Sequence, residues 1–118
     1  MTLRDKQQTF VLRVADLIVF ATAQGYQMSF GEAYRSKEEA ARLAGLGLGI
    51  KTSLHTQRLA IDFNLFRDGQ YLITTEEYRP LGEYWKAQSQ PPHYECTWGG
   101  DFATRDAGHF SIAHGGRR

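Results

Sequence analysis

Apolar residues recur at three- and four-residue steps near the start of the chain. Phe10, Val14, Leu17, Ile18 and Ala21 share one stripe, which predicts a helix from about Leu3 to Gln24. Gly25 follows at the place of a left-handed C-cap. The period then changes. Tyr26 to Arg35 alternates, with Met28, Phe30 and Tyr34 on one face and Ser29, Gly31, Ala33 and Arg35 on the other, as a strand does. Ser36-Lys37-Glu38-Glu39 is a capping-box pattern and opens a second helix that runs to about Leu46. Gly45, Gly47 and Gly49 end it in a loop.

Ile61, Phe63 and Leu65 alternate with Asp62, Asn64 and Phe66, a strand with one apolar face. Asp68-Gly69 reads as a hairpin turn into Tyr71-Leu72-Ile73. Thr74 or Thr75 caps a third helix, with Glu76 and Glu77 in its first turn and Leu81, Tyr84 and Trp85 as its buried stripe. Pro80 is expected in the first turn, or the helix begins late. Pro91-Pro92 closes that region, and His109 to Ile112 forms a last short strand. Strands and helices do not alternate as βαβ units. The expected class is therefore α+β, a small antiparallel sheet with flanking helices.

At 118 residues the chain is expected to form a single domain, residues 1–118, around one modest core. The net charge of +1, with acids interspersed among the basic residues, argues against a nucleic-acid partner. One cysteine, Cys96, excludes an intramolecular disulfide and any site built from several thiolates. Without a base in a motif beside it, Cys96 reads as a small buried hydrophobe. The N-terminus is polar and lacks an apolar h-region, so synthesis in the cytoplasm without a signal peptide is expected. No run is long enough to insert into a membrane. A monomer is expected.

The chemistry concentrates in two segments, Ser53 to Asp62 and Asp106 to Phe110. His55, Asp62 and His109 make a three-ligand set for Zn²⁺. Three protein ligands leave a fourth tetrahedral position open, the mark of catalytic zinc. Strand periodicity places Asp62 opposite Ile61 and Phe63, and His109 opposite Phe110. If the two strands are neighbours, Asp62 and His109 meet on one polar face, and His55 arrives from the preceding loop. Asp106, three residues before His109, is a candidate base for a zinc-activated water. Spacing alone does not separate this set from unrelated surface residues; His93 and His114 fall outside it.

The surrounding residues add a resemblance. Ser53, His55, Ala60 and Asp62 resemble the Ser-x-His-x-x-Gly-x-Ala-x-Asp signature of the M15 zinc peptidases, and Asp106 with His109 resembles the acid-x-x-His that follows it. That family includes D-Ala-D-Ala carboxypeptidases, vancomycin-resistance dipeptidases and the L-alanyl-D-glutamate endopeptidases of phage lysins. Trp98-Gly99-Gly100-Asp101-Phe102 looks like the segment preceding the second motif in the phage-type branch. Tyr34-Arg35-Ser36 is similar to the segment that carries the family's active-site arginine. The resemblance spans about Phe30 to Ile112.

What the resemblance implies is a hedgehog/D,D-peptidase-like fold and a zinc peptidase acting on peptidoglycan stem peptides. The expected bond is L-Ala–D-Glu, in a phage or prophage lysis system, with release through a holin pore or carriage in the virion. Asp106 and Arg35 are the expected catalytic residues, and Arg35, Ser53 and Trp98 the expected substrate contacts. Trp98 reads more as core than as a groove wall, and Asp101 more as a plain turn residue than as a partner of a ligand imidazole. The chain departs from the signature at Arg58, which stands where the family has glycine; a positive φ there would strain it. The alternatives are a D-Ala-D-Ala carboxypeptidase and a non-catalytic zinc-containing module that binds the wall or a phage structure. Asp106 argues against the latter, since a binding module has no need of a base.

Overall fold

The computed structural model describes residues 1–50 and 52–118. Helix α1, Leu3–Ala23, starts at a reciprocal capping box between Thr2 and Asp5, and Gly25 follows it with φ +89°. Phe10, Val14, Leu17 and Ala21 are its buried stripe. Helix α2, Lys37–Gly45, is capped by the Ser36 hydroxyl, which accepts from the Glu39 N–H; the reciprocal half of the box does not form. Helix α3, Thr75–Ala87, has both halves, between Thr74 and Glu77.

The sheet is antiparallel throughout. Its strands are β1 (Gln27–Phe30), β2 (Ala60–Arg67), β3 (Gln70–Tyr71), β4 (Cys96–Trp98) and β5 (His109–Ile112). The order is β1-β2-β5-β4, with β3 paired to β2 through the Asp68-Gly69 turn. Both turn residues have positive φ, +52° and +77°, as a two-residue hairpin requires. α1 and α3 cover the apolar face. Trp85 packs edge-on against Phe10 and Phe110, and its indole N–H donates to the carbonyls of Thr97 and Ser111 at 3.0 and 3.1 Å. One side chain thus ties both helices to β4 and β5.

Four differences from the sequence expectations have physical causes. The first strand is shorter than the Tyr26–Arg35 alternation suggests. Gly31 and Glu32 both oppose Asp62: the Gly31 N–H donates to the Asp62 carbonyl at 2.8 Å, and the Asp62 N–H donates to Glu32 at 2.7 Å. Two residues facing one make a bulge, which bends the chain away from the sheet. Tyr34, beyond the bulge, is 50% exposed, and Phe30, the last residue of β1, is 69% exposed. The second hairpin strand stops at Tyr71, leaving Ile73 75% exposed.

Strand β4 was not foreseen, because three residues are too few to show a period. Pro80 is the sixth residue of α3 and not in its first turn. It removes one main-chain hydrogen bond, and the buried face of Tyr78, Leu81 and Trp85 on either side holds the helix through it.

β3 and β5 lie along the same edge of β2. The Phe63 N–H donates to Gly108 and the Leu72 N–H donates to Leu65, so the two pairings leave a cleft between them. Tyr78 closes its floor: the hydroxyl accepts from the Leu65 N–H at 3.2 Å and donates to the Leu72 carbonyl at 3.0 Å. Tyr78→Phe strands two buried main-chain groups. It is expected to cost about 1–3 kcal/mol, read as a lower urea midpoint with unchanged m. An unchanged midpoint would show that water replaces the hydroxyl.

Candidate active site

A 3₁₀ turn, Leu54–Gln57, carries His55 into the structure. Ser53 builds that turn: its hydroxyl accepts from the His55 N–H at 3.2 Å, and its carbonyl accepts from the Thr56 hydroxyl at 2.6 Å. The His55 ring is 4% exposed, and its Nδ1 lies 2.7 Å from the Ala33 carbonyl. A carbonyl only accepts, so Nδ1 carries the proton and Nε2 is left with a lone pair facing inward.

β2 and β5 supply the other two groups. Asp62 and His109 are directly paired across the ladder, as the alternation requires. Asp62 Oδ1 lies 3.5 Å from His55 Nε2 and 3.4 Å from His109 Nδ1. One donor atom from each residue falls within 4.8 Å of the other two. Burial works against the Asp62 charge, yet the two imidazoles beside it hold its carboxyl down at about 2. Burial likewise opposes charge on His55, but the Asp62 carboxylate 3.5 Å from its Nε2 raises its pKa above the usual imidazole value.

Asp106 lines the same cleft as Asp62, a space of about 390 Å³. The residue is exposed at the rim. Burial of its carboxyl nevertheless pushes the pKa up, and the Asp62 charge adds to that, while His109 and His55 oppose it. Its main chain is fixed from both sides: the Asp106 N–H donates to Gly99 at 2.9 Å, and its carbonyl accepts from the His109 N–H at 3.0 Å. A Cβ on Gly99 would fall onto the Asp106 carbonyl oxygen, and a Cβ on Gly100 onto the Trp98 indole. The Trp-Gly-Gly segment is therefore a packing device that places Asp106.

Trp98 stands apart from the converging groups. It is 1% exposed and its indole N–H donates to the Ala107 carbonyl at 2.7 Å, inside the core. Asp101 pairs with Lys86 at 2.8 Å, away from the imidazoles. Burial pushes the Cys96 thiol up to about 12, against a weaker opposing hydrogen bond from Ser89, which leaves it no nucleophilic character at neutral pH.

Arg35 is half-buried and forms an ion pair with Glu32, whose carboxylate is 3.9 Å from His55 Nδ1. Its Nε is buried without a partner. Sequence reasoning passed over Glu32; the available signal was an acid three residues ahead of the arginine. It also passed over the Ala33 carbonyl, which no side-chain pattern announces.

Arg58 takes the left-handed conformation, φ +57° and ψ +37°, at the end of the His55 turn. Its guanidinium lies 4.1 Å over the Tyr34 ring and lines an apolar hollow with Phe10 and Val14, outside the Asp62 cleft. The cation–π contact offsets part of the backbone strain. Arg58→Gly is expected to be about 1 kcal/mol more stable than Arg58→Ala, because both lose the contact and only alanine keeps the strain. Equal denaturation midpoints for the two variants would contradict this.

The family profile described as D-alanyl-D-alanine carboxypeptidase, a peptidase M15 group, matches residues 49–112, more than half of the chain. The chain belongs to the peptidase M15 family. Solved structures share its fold, among them the following two. The L-Ala D-Glu endopeptidase ChiX of Serratia marcescens is 20% identical, with a TM-score of 0.65 over 82% of this chain and 75% of that one. The vancomycin resistance D,D-pentapeptidase VanY from the VanB-type cassette, a mutant in complex with Zn(II), is 19% identical, with a TM-score of 0.57 over 90% of this chain and 71% of that one. No curated protein matches the sequence.

The family is one of zinc metallopeptidases acting on peptidoglycan, and Zn²⁺ is its cofactor. The donor atoms here suit that ion. Groups bound about 2.0–2.1 Å from a tetrahedral Zn²⁺ stand about 3.3–3.4 Å apart, close to the 3.4 and 3.5 Å found around Asp62. Asp62 Oδ1 is buried and makes no hydrogen bond. An acceptor buried in that way calls for a cation at the point where the two imidazoles meet it. None of the described helices is long and apolar enough to cross a membrane.

Proposed function

We propose that this chain hydrolyses the L-Ala–D-Glu bond of peptidoglycan stem peptides, with His55, Asp62 and His109 holding Zn²⁺ and Asp106 moving the proton. The observation that carries the reading is the convergence of His55, Asp62 and His109, with Asp106 lining the cleft that Asp62 lines, in a chain of the M15 family. When bound, Zn²⁺ supplies a Lewis acid and brings the pKa of its water to about 7. The Ala33 carbonyl holds His55 in the tautomer that leaves Nε2 for the metal. Asp106 takes a proton from the attacking water and delivers it to the leaving nitrogen as the C–N bond breaks. The acyl side departs as a carboxylate and the D-Glu side as an amine.

Ser53 serves this chemistry by shaping the turn under His55. Arg35, oriented by Glu32, is assigned to the substrate carbonyl. Trp98 acts from within the core by fixing Ala107. Residues 1–118 act as one catalytic domain. The choice of bond is supported by the higher TM-score to the L-Ala D-Glu endopeptidase. The Trp98-Gly99-Gly100 segment supports a lysis role in a phage or prophage, with passage to the wall through a holin pore. D-Ala-D-Ala carboxypeptidase action is the second reading, favoured by the description of the matched family.

Mass spectrometry of purified peptidoglycan after digestion separates the two. Fragments with a new amino terminus at D-Glu, lost on chelation and restored by Zn²⁺, are expected. Loss of terminal D-Ala alone would replace the endopeptidase reading with the second one. No cleavage of several wall chemotypes by zinc-loaded protein would move the function to a binding module.

A further inference from the structure

The cleft beside the His-Asp-His group is rich in acid. Glu32, Asp62 and Asp106 all line it, a poor field for an anionic wall peptide. Two of the three are already engaged: Asp62 between the imidazoles, and Glu32 with Arg35. Among the described residues lining this cleft, one is a cation, Arg105. It is exposed and forms no ion pair within 4.0 Å among the described residues. Glu76, whose pKa feels the Arg105 charge, is held by three hydrogen bonds from Arg79. A guanidinium in this setting is free to take an oxyanion from the substrate.

We infer that Arg105 binds the free α-carboxylate of the residue that departs with the amine, and so selects which bonds the site accepts. The inference rests on the peptidase reading above and deepens it. Arg105 adjoins Asp106 in the chain, and Asp106 serves the leaving nitrogen. In a stem peptide D-Glu continues through its γ-carboxyl group. Its α-carboxylate is therefore free, on the same carbon as the leaving nitrogen. A terminal D-Ala has the same arrangement. An ordinary internal peptide bond has a neutral amide there. A guanidinium beside the proton carrier thus recognises what the two wall bonds have in common.

The test is calorimetric binding of γ-D-Glu-L-Lys, whose D-Glu amine and D-Glu α-carboxylate are both free, against the same dipeptide with only the D-Glu α-carboxylate converted to a carboxamide. The full zinc-loaded chain is used, as wild type, Arg105→Gln and Arg105→Lys. Wild type is expected to bind the acid about tenfold or more tightly than the amide. Arg105→Gln is expected to lose that preference to within about twofold, and Arg105→Lys to keep part of it. Equal binding of acid and amide by wild type would overturn the inference. So would an Arg105→Gln variant that weakens both ligands alike, since that is a structural effect. Discrimination in binding without hydrolysis of any stem peptide would uphold the role of Arg105 and remove the peptidase reading. Hydrolysis without discrimination would do the reverse.

Discussion

Asp106→Ala is expected to lower kcat by about 10²–10⁴-fold, the usual share of a general acid-base group, while one Zn²⁺ per chain stays bound. Asp106 is not one of the converging donors; those are His55, Asp62 and His109. It lines the same cleft as Asp62 and is held there by main-chain bonds to Gly99 and His109. Burial, then the Asp62 charge, raise its carboxyl above the usual range, which moves it in the direction a group that must both take and give a proton requires. Asp106→Asn keeps the shape and loses the proton-carrying oxygen, so it is expected to fall as far as alanine. Metal analysis and steady-state kinetics on the same preparations decide the point. Zinc lost together with turnover would make Asp106 a ligand. Turnover retained would pass the role to Glu32, the remaining carboxylate of the cleft.

Much of this arrangement was legible in the sequence because it follows from strand periodicity. Ile61, Phe63 and Leu65 are buried at 7%, 2% and 0%, and the alternation that buries them turns Asp62 toward the site. The same rule at Phe110 sets His109 opposite Asp62, and the register joins them. The departure at Arg58 was legible as well: a position where the family has glycine has φ +57°.

What escaped was set by tertiary contact and not by local pattern. The bulge at Gly31 and Glu32 arises from two hydrogen bonds to Asp62, a residue thirty positions on. That bulge breaks the strand which alternation extends to Arg35, and it brings Ala33 and Glu32 up to His55. β4 is too short for any period, and its place is set by the ladder to β5, with Trp85 reaching a carbonyl of each strand. Trp98 looks alike in sequence whether it walls a groove or fills a core. Only the two glycine surfaces against its ring, Gly82 and Gly100, decide for the core.

Asp62→Asn is expected to weaken Zn²⁺ binding by about 10²-fold. Structural zinc sites with four ligands hold the ion with about 10–16 kcal/mol, so one ligand accounts for about 3 kcal/mol. The substitution keeps the shape of the side chain and removes the charge that both imidazoles face. Added Zn²⁺ therefore raises the melting temperature of wild type, and the variant at the same free zinc loses about 2.7 kcal/mol of that stabilisation. The pH dependence carries a second sign. Zinc needs neutral His55, whose pKa is raised by Asp62 against the effect of burial. As pH falls, protons displace the ion, and wild-type affinity starts to drop at a higher pH than an ordinary imidazole would give. With Asp62→Asn that raising influence is gone, so the decline shifts to lower pH even as the affinity plateau falls. Zinc titrations at a series of pH values read both effects at once. A variant with the wild-type plateau would take Asp62 out of the ligand set. A lower plateau with an unshifted decline would leave Asp62 a ligand and remove its control of the His55 proton.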